Sequence, residues 1–289
     1  MEFKFVLPEE LNAQNLKELL ENEWLIPRKV RHFLRVRKNV QINGEPGMFH
    51  QPVQPGDLIT LTFEADDYDV PTINLGNAKA IVPLWEDEHL IIVNKPYGKK
   101  THPNQPDEKD TLLNDLAAYL QPKGQIPYVV HRLDKETSGA ILFAKNPIIL
   151  PILGRMLEKK EIHRVYEALI EGSLPQKELI INKKIGRDRH DRRKRLVDEK
   201  RGKTAITHVS TFKKVKNNTW VTCWLETGRT HQIRVHLASI GKPIIGDPLY
   251  HPKASSDQRL YLHARELTLT HPFTKETIKA QATPFLSES

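Results

Sequence analysis

Short apolar runs closed by turn signals, and no long periodic stretch, dominate this chain and set what it can fold into. Leu58-Ile59-Thr60-Leu61-Thr62-Phe63, Leu90-Ile91-Ile92-Val93, Ala140-Ile141-Leu142-Phe143-Ala144, the alternating Arg164 to Ile170, Ile206 to Phe212, Trp220 to Leu225 and Leu267 to Thr270 all have strand length. Helical segments are fewer. They are Leu11 to Glu21, a stretch from Pro27 through Val30, Phe33 and Leu34, Thr111 to Leu120 with Thr111 as its cap, Ile148 to Lys159, and His231 to Ala238 after a Gly228 turn. Strands with helices interspersed, lacking the regular βαβ alternation of a doubly wound sheet, indicate a mixed α+β fold.

The order of the runs divides the chain. Two helices, the strand Val40-Gln41-Ile42, a turn at Asn43-Gly44 and the strand from Leu58 form a small module over residues 1–64. Acidic and small residues at 65–80 read as a linker, and 81–289 hold the remaining elements. A length of 289 residues fits one large and one small domain, and 38% hydrophobic residues suffice for a core. No apolar run approaches the roughly 20 residues that span a bilayer. Met1 to Pro8 lacks the basic and long apolar regions of a secretory signal, so the cytoplasm is the expected location. The single cysteine, Cys223, excludes an intramolecular disulfide framework and a multi-thiolate zinc site, and its strand-like neighbours mark it as a buried thiol.

Positive charge is concentrated. Lys and Arg number 44 against 36 Asp and Glu, a formal +8, yet Lys183 to Lys203 alone carries 11 basic and 4 acidic residues. Arg28 to Lys38 adds six basic side chains and no acid. Two net-positive patches point to a polyanion whose phosphates they neutralise. Lys183, Lys184, Arg187, Arg189, Arg192 and Arg193 are the candidate phosphate contacts, placed away from any reacting base. There is no GxxxxGK loop, no GxGxxG after an early strand, no HExxH and no GxSxG. His231 and His236 have no neighbouring ligand set, so neither a cofactor nor a metal is expected and side chains must act unaided.

Two polar clusters abut apolar segments. His131-Arg132-Leu133-Asp134-Lys135-Glu136-Thr137-Ser138-Gly139 leads straight into the strand at Ala140, and Thr227-Gly228-Arg229-Thr230-His231-Gln232-Ile233-Arg234-Val235-His236 opens a helix. Each alone reads as a charged turn; together they invite an Asp–Arg pair, which keeps a carboxylate ionised.

These two segments resemble the signatures of the RluA-type pseudouridine synthases. So do Glu86-Asp87-Glu88-His89-Leu90-Ile91-Ile92-Val93-Asn94-Lys95-Pro96, Gly241-Lys242-Pro243-Ile244-Ile245-Gly246-Asp247-Pro248-Leu249-Tyr250 and Leu262-His263-Ala264, in family order from about residue 81 to 275. The resemblance implies a largely antiparallel sheet with a central cleft, and a cofactor-free isomerisation of uridine in RNA. It implies Asp134 as catalytic aspartate, Tyr166 as active-site tyrosine and Arg229 as the arginine paired with Asp134. Residues 29–57 resemble an S4-type RNA-binding domain, although Ala13-Gln14-Asn15-Leu16-Lys17 departs from its usual opening.

The reaction exchanges an N1–C1′ bond for a C5–C1′ bond. Asp134 serves as nucleophile or charge stabiliser, and the sequence leaves attack at C1′, attack at C6 and a glycal route open. Tyr166 suits stacking on a rotating uracil better than removing the C5 proton. The nucleotide must leave its stack, and Arg132 is placed to support phosphate or to fill the vacated position. His131 and Lys95 are candidate substrate contacts, His131 otherwise orienting or packing the loop and Lys95 otherwise supporting the cleft, and Arg234 and His236 are read as scaffold or backbone contacts. Structured RNA is the expected partner, ribosomal before transfer RNA, for a monomer with no membrane or protein partner implied; a non-catalytic RNA-binding or ribosome-assembly protein is the rival reading.

Overall fold

The computed structural model describes residues 1–105, 107–254 and 258–284. Its N-terminal part is a four-stranded antiparallel sheet with helices against it. The strands are β1 (Glu2–Val6), β2 (Val40–Ile42), β3 (Glu45–Pro46) and β4 (Leu58–Thr62), in the order β1-β4-β2-β3. β1 was not expected, although Phe3 and Phe5 alternate with polar residues as a half-buried strand requires. The first helix is shorter than Leu11 to Glu21. It comprises α1 (Leu16–Glu18), capped by the Asn15 side chain on the Glu18 N–H, and a π turn at Leu19–Glu23. α2 (Arg28–Val36) follows Pro27 and buries Val30 and Leu34. Asn43 and Gly44 both take positive φ, 53° and 87°, as the tight β2–β3 hairpin demands.

The rest of the chain is built on one ten-stranded mixed sheet. Its members are β5 (Pro83–Glu86), β6 (Leu90–Lys95), β7 (Tyr128–Val129), β8 (Ser138–Ala144), β9 (His163–Glu171), β10 (Glu178–Asn182), β13 (Ile206–Val215), β14 (Asn218–Leu225), β15 (Leu262–Thr270) and β16 (Thr277–Gln281). The main path runs β10-β13-β14-β9-β15-β8-β6-β5, with β16 on β15 and β7 on β8. Every pairing is antiparallel except β8 with β15, which are parallel through Ser138–His263 and Gly139–Ala264. A separate two-stranded ribbon, β11 (Ile185–Arg187) with β12 (Arg195–Val197), carries the basic run. The helices are α3 (Leu112–Leu120), α4 (Ile149–Glu158) and α5 (Gln232–Ser239). Thr111 caps α3 in a box with Asn114. Among the described residues no helix is long and apolar enough to cross a membrane.

The small sheet and the large one share a continuous core. Phe5 lies 4.5 Å from Phe273 and 4.7 Å from Trp24 between ring centroids, and Arg155 of α4 donates to the carbonyls of Asn22 and Glu23. Phe5 is 4% exposed, and burying such a ring stabilises by about 1.5–3 kcal/mol. The segment from Glu64 to Ala80 is tied at both ends. Arg37 pairs with Asp66 and Asp67, while Gly76 and Asn77 donate to Asn114 O and Asp115 Oδ1 at the start of α3.

Candidate active site

The register of the large sheet sets the site. Lys95, Gly139, Ala264, Tyr166 and Cys223 occupy one row across β6, β8, β15, β9 and β14. The loop carrying Asp134 enters β8 at this row, so Asp134 and Tyr166 come from elements only two strands apart, about 10 Å. Gly139 makes the junction: its φ is 110°, and a Cβ there would stand 2.2 Å from the carbonyl oxygen of Ala264. A side chain would separate the two strands that bring the loop to β9.

The Asp134 loop is held from behind. The Thr101 hydroxyl donates to Leu133 O at 2.8 Å and accepts the Leu133 N–H at 3.2 Å. The Lys95 ammonium, fully buried, donates to the carbonyls of Pro96, Lys99 and Lys135 at 3.0, 2.5 and 3.0 Å. Three donors meet three acceptors, which leaves none for RNA. Of the two roles open to Lys95, the geometry is that of a support for the loop and not of a substrate contact. Burial pushes it down to about 7 against the pull of Asp134 and Glu136. His131 is half-buried, with its ring nitrogens turned into the fold. Its Nε2 accepts the Leu142 N–H at 3.2 Å and burial pushes the imidazole down to about 3, so it is a neutral packing group and not a substrate contact.

Asp134 pairs with Arg234 and not with Arg229. One guanidinium nitrogen of Arg234 lies 3.1 Å from Asp134 Oδ2, and the other two grip Asp247 at 2.8 Å each. Asp247 is fully buried and also accepts the N–H groups of Leu249 and Tyr250. Burial alone would weaken the Arg234 charge, but the two carboxylates outweigh it and raise its pKa further. Arg229 lies before α5 begins, is exposed, and donates to Thr204 O at 2.9 Å. Arg234, read from sequence as scaffold, is thus the charge partner. The signal was present: an arginine between Ile233 and Val235 on a buried helix needs carboxylates. His236 bonds Thr207 Oγ1 and Lys183 O.

Asp134, its side chain 15% exposed, opens into a cavity of about 680 Å³. Lys100, Thr101, His102, Arg132, Arg193 and Lys194 are among its lining residues, and the size suits a nucleotide. A smaller adjoining pit joins Asp134 and Arg132 to Tyr166, Arg229, Ile233 and Leu262. Tyr166 is 5% exposed, and burial, aided by Asp134, raises its phenol pKa. A phenol kept protonated is a wall for a base and a poor proton acceptor.

Residues 89–239 match the family described as RNA pseudouridylate synthase, and residues 3–59 match the domain described as RluD ribosomal pseudouridine synthase N-terminal domain. The chain belongs to the RNA pseudouridylate synthase family. It is 40% identical over 263 residues to RNA pseudouridine synthase YhcT of Bacillus subtilis, covering 86% of this chain and 82% of that one. Ribosomal large subunit pseudouridine synthase D of Neisseria meningitidis serogroup B is 36% identical over 257 residues, 84% and 68% of the two chains. The solved structure of human RNA pseudouridylate synthase domain containing 1 shares the fold, with a TM-score of 0.61 at 24% identity over 73% of this chain and 86% of that one. The protein is accordingly an enzyme that converts uridine in RNA to pseudouridine.

The basic run of this synthase sits nearer Asp134 than expected. The tip of the β11–β12 ribbon brings Arg193 and Lys194 into the wall of the Asp134 cavity, with Arg193 held by Asp191 at 2.8 Å. Arg187, Arg189 and Arg192 are exposed along the ribbon, whereas Lys183 and Lys184 lie at its base, Lys183 against Ser239 of α5. Lys99 and Lys100 are tied to Asp110, Asp115 and Glu108. Cys223 is buried, its thiol pushed up to about 12.

Proposed function

We propose that the chain isomerises uridine in large-subunit ribosomal RNA, with Asp134 as the reacting carboxylate, Arg234 as its charge partner and Tyr166 as the surface on which the base stacks. The observation that carries this is the Asp134 carboxylate at the mouth of the cavity, bonded to a buried arginine and sharing a pit with Tyr166. The isomerisation is redox-neutral and needs a fixed charge beside the sugar, a base held flat while it turns, and a path for one proton. Arg132, exposed at the rim, is the side chain that enters the stack when the uridine leaves it.

Ribosomal RNA is favoured by the names of several relatives and by the match of residues 3–59 to an N-terminal domain of a ribosomal pseudouridine synthase. The proposed organisation is an S4-like RNA-binding module at 1–64, a linker at 65–80 and a catalytic domain at 81–289, acting as a monomer. Arg28, Lys29, Arg35 and Lys38 are exposed on or beside α2, while Arg31 and Arg37 are occupied by Glu21, Asp66 and Asp67. Ribbon and module together then supply the phosphate contacts. Mapping pseudouridine across total RNA, with the gene deleted and then restored as wild type or Asp134→Asn, tests both parts. Sites in large-subunit ribosomal RNA that only wild type restores are expected; restoration by Asp134→Asn would reject the carboxylate, and sites confined to transfer RNA would reject the target.

A further inference from the structure

Asp134 has a second polar neighbour besides Arg234. His231 stands immediately before α5 with φ of 59° and directs Nε2 to within 3.7 Å of Asp134 Oδ2. Its other ring nitrogen, Nδ1, is 2.9 Å from the hydroxyl of Tyr250, and that hydroxyl accepts the backbone N–H of Arg195 at 2.8 Å. A phenol has one proton to donate. With the Arg195 N–H occupying a lone pair of the Tyr250 oxygen, the arrangement that satisfies both groups sends the Tyr250 proton to His231 Nδ1. The ring is then the neutral tautomer with its hydrogen on Nε2, facing the carboxylate. The opposite tautomer would set a bare nitrogen lone pair against a carboxylate oxygen. Burial lowers the imidazole pKa, in line with a neutral ring.

We propose that His231 is a second hydrogen-bond donor to Asp134, with its tautomer fixed by Tyr250, and that Tyr250 is in turn set by the first residue of β12. This deepens the reading of Asp134 as the reacting carboxylate and rests on it. At 3.7 Å the contact is longer than a hydrogen bond, as catalytic contacts often are before substrate closes the site. Its consequence is directional. Arg234 and His231 both engage Oδ2, which leaves Oδ1 as the oxygen free for the nucleotide. It also joins the ribbon bearing Arg187, Arg189, Arg192 and Arg193 to the reacting group through three consecutive contacts, Arg195 N–H to Tyr250, Tyr250 to His231, and His231 to Asp134. Tyr250 and His231 are positioning residues in this arrangement. The Tyr250 ring additionally lies 5.2 Å from the Arg234 guanidinium, a contact that Tyr250→Phe retains.

The test compares His231→Gln, His231→Asn, Tyr250→Phe and Asp134→Asn in the full chain, by single-turnover rate and by RNA affinity, with thermal melts. A glutamine amide places its N–H near the position of Nε2, and an asparagine amide places it near Nδ1. Asparagine tolerates the left-handed backbone of residue 231 better than glutamine, so stability alone would favour the Asn variant. The expected order is the reverse. His231→Gln keeps a rate within about threefold of wild type, while His231→Asn and Tyr250→Phe slow by about tenfold, the worth of one hydrogen bond, with RNA affinity within about twofold. A His231→Asn rate equal to wild type, a His231→Gln rate as low as that of His231→Asn, a Tyr250→Phe rate equal to wild type, or losses confined to affinity would each overturn the proposal. Asp134→Asn separates the two readings: an active Asp134→Asn removes the catalytic assignment itself, whereas an inactive one beside a wild-type rate in His231→Asn removes only the donor role of His231.

Discussion

Arg234 bridges two carboxylates, gripping Asp247 through two nitrogens at 2.8 Å and reaching Asp134 with the third at 3.1 Å. The bidentate side is the anchor, since Asp247 is fully buried and pinned by the Leu249 and Tyr250 N–H groups. The single bond to Asp134 is therefore aimed by a rigid partner.

Removing the anchor should disturb chemistry and stability together. Asp247→Asn leaves Asp134 present but takes one of two charges from a buried arginine, a loss of about 3–5 kcal/mol. Arg234→Lys fails to restore activity, because one ammonium cannot serve two carboxylates in the geometry of a planar fork. Arg229→Ala, which removes a bond to Thr204 O and part of the pit wall but no bond to Asp134, stays within about threefold of wild-type turnover. Chemical denaturation and single-turnover assays of the three variants check this order.

Gly139 is a position where substitution is poorly tolerated. Alanine there meets the Ala264 backbone at a φ of 110°, across the parallel contact between β8 and β15. Strain and clash together should exceed about 3 kcal/mol, so Gly139→Ala is expected to be insoluble or to melt far below wild type. Gly154→Ala, at a helical position with open space around the added methyl, is the matched control and should melt at or slightly above wild type.

Much of this was legible in the chain because local signals agreed with the fold. Thr111 announced the start of α3, Asn43-Gly44 the hairpin, and the apolar run after Gly139 the central strand. The misreadings have physical causes. Arg229 and Arg234 are five residues apart, and only the onset of α5 at Gln232 decides which one faces inward. Lys95 looks like a cleft residue by its neighbours, but it ends a buried strand and turns its charge onto carbonyls that sequence cannot locate. Phe3 and Phe5 alternate with polar residues in a strand of five residues whose partner, β4, is remote in sequence. The His231–Tyr250 contact joins residues from two loops, and no local pattern specifies it.

Acid should destabilise the fold through two neutral histidines, the buried His89 and the half-buried His131. His89 accepts the Asn146 amide N–H at Nδ1, an orientation fixed because Asn146 Oδ1 takes the Ile148 and Ile149 N–H groups. His131 accepts the Leu142 N–H. Burial pushes His89 down to about 4 and His131 to about 3, against 6.5 for the free side chain. Between those values and 6.5 the unfolded chain binds protons that the folded chain refuses, so stability is full above 6.5 and falls as pH drops toward 4, by up to about 1.4 kcal/mol per unit of difference for each ring. Urea midpoints at about pH 7, 6, 5 and 4.5 should decline progressively. His89→Leu should shallow the decline while lowering the midpoint at neutral pH, and a midpoint independent of pH would contradict the neutral assignment.

The basic ribbon should govern affinity through phosphates, and its nearness to Asp134 makes the expectation sharper than for a remote patch. Arg187, Arg189 and Arg192 are exposed on the ribbon, and Arg193 and Lys194 line the cavity. Each phosphate deprived of its cationic partner lowers the slope of log affinity against log salt by about 0.7–0.9. Replacing Arg187, Arg189 and Arg192 together by Gln is expected to reduce that slope by about 2 and to weaken binding at low salt far more than at high salt. The single-turnover rate at saturating RNA should change little, because the Arg195 N–H that meets Tyr250 belongs to the backbone and survives the substitutions. A parallel triple replacement of Arg28, Lys29 and Arg35 on α2 separates the contribution of the N-terminal module from that of the ribbon. An unchanged slope in the ribbon variant would place the RNA elsewhere on the molecule.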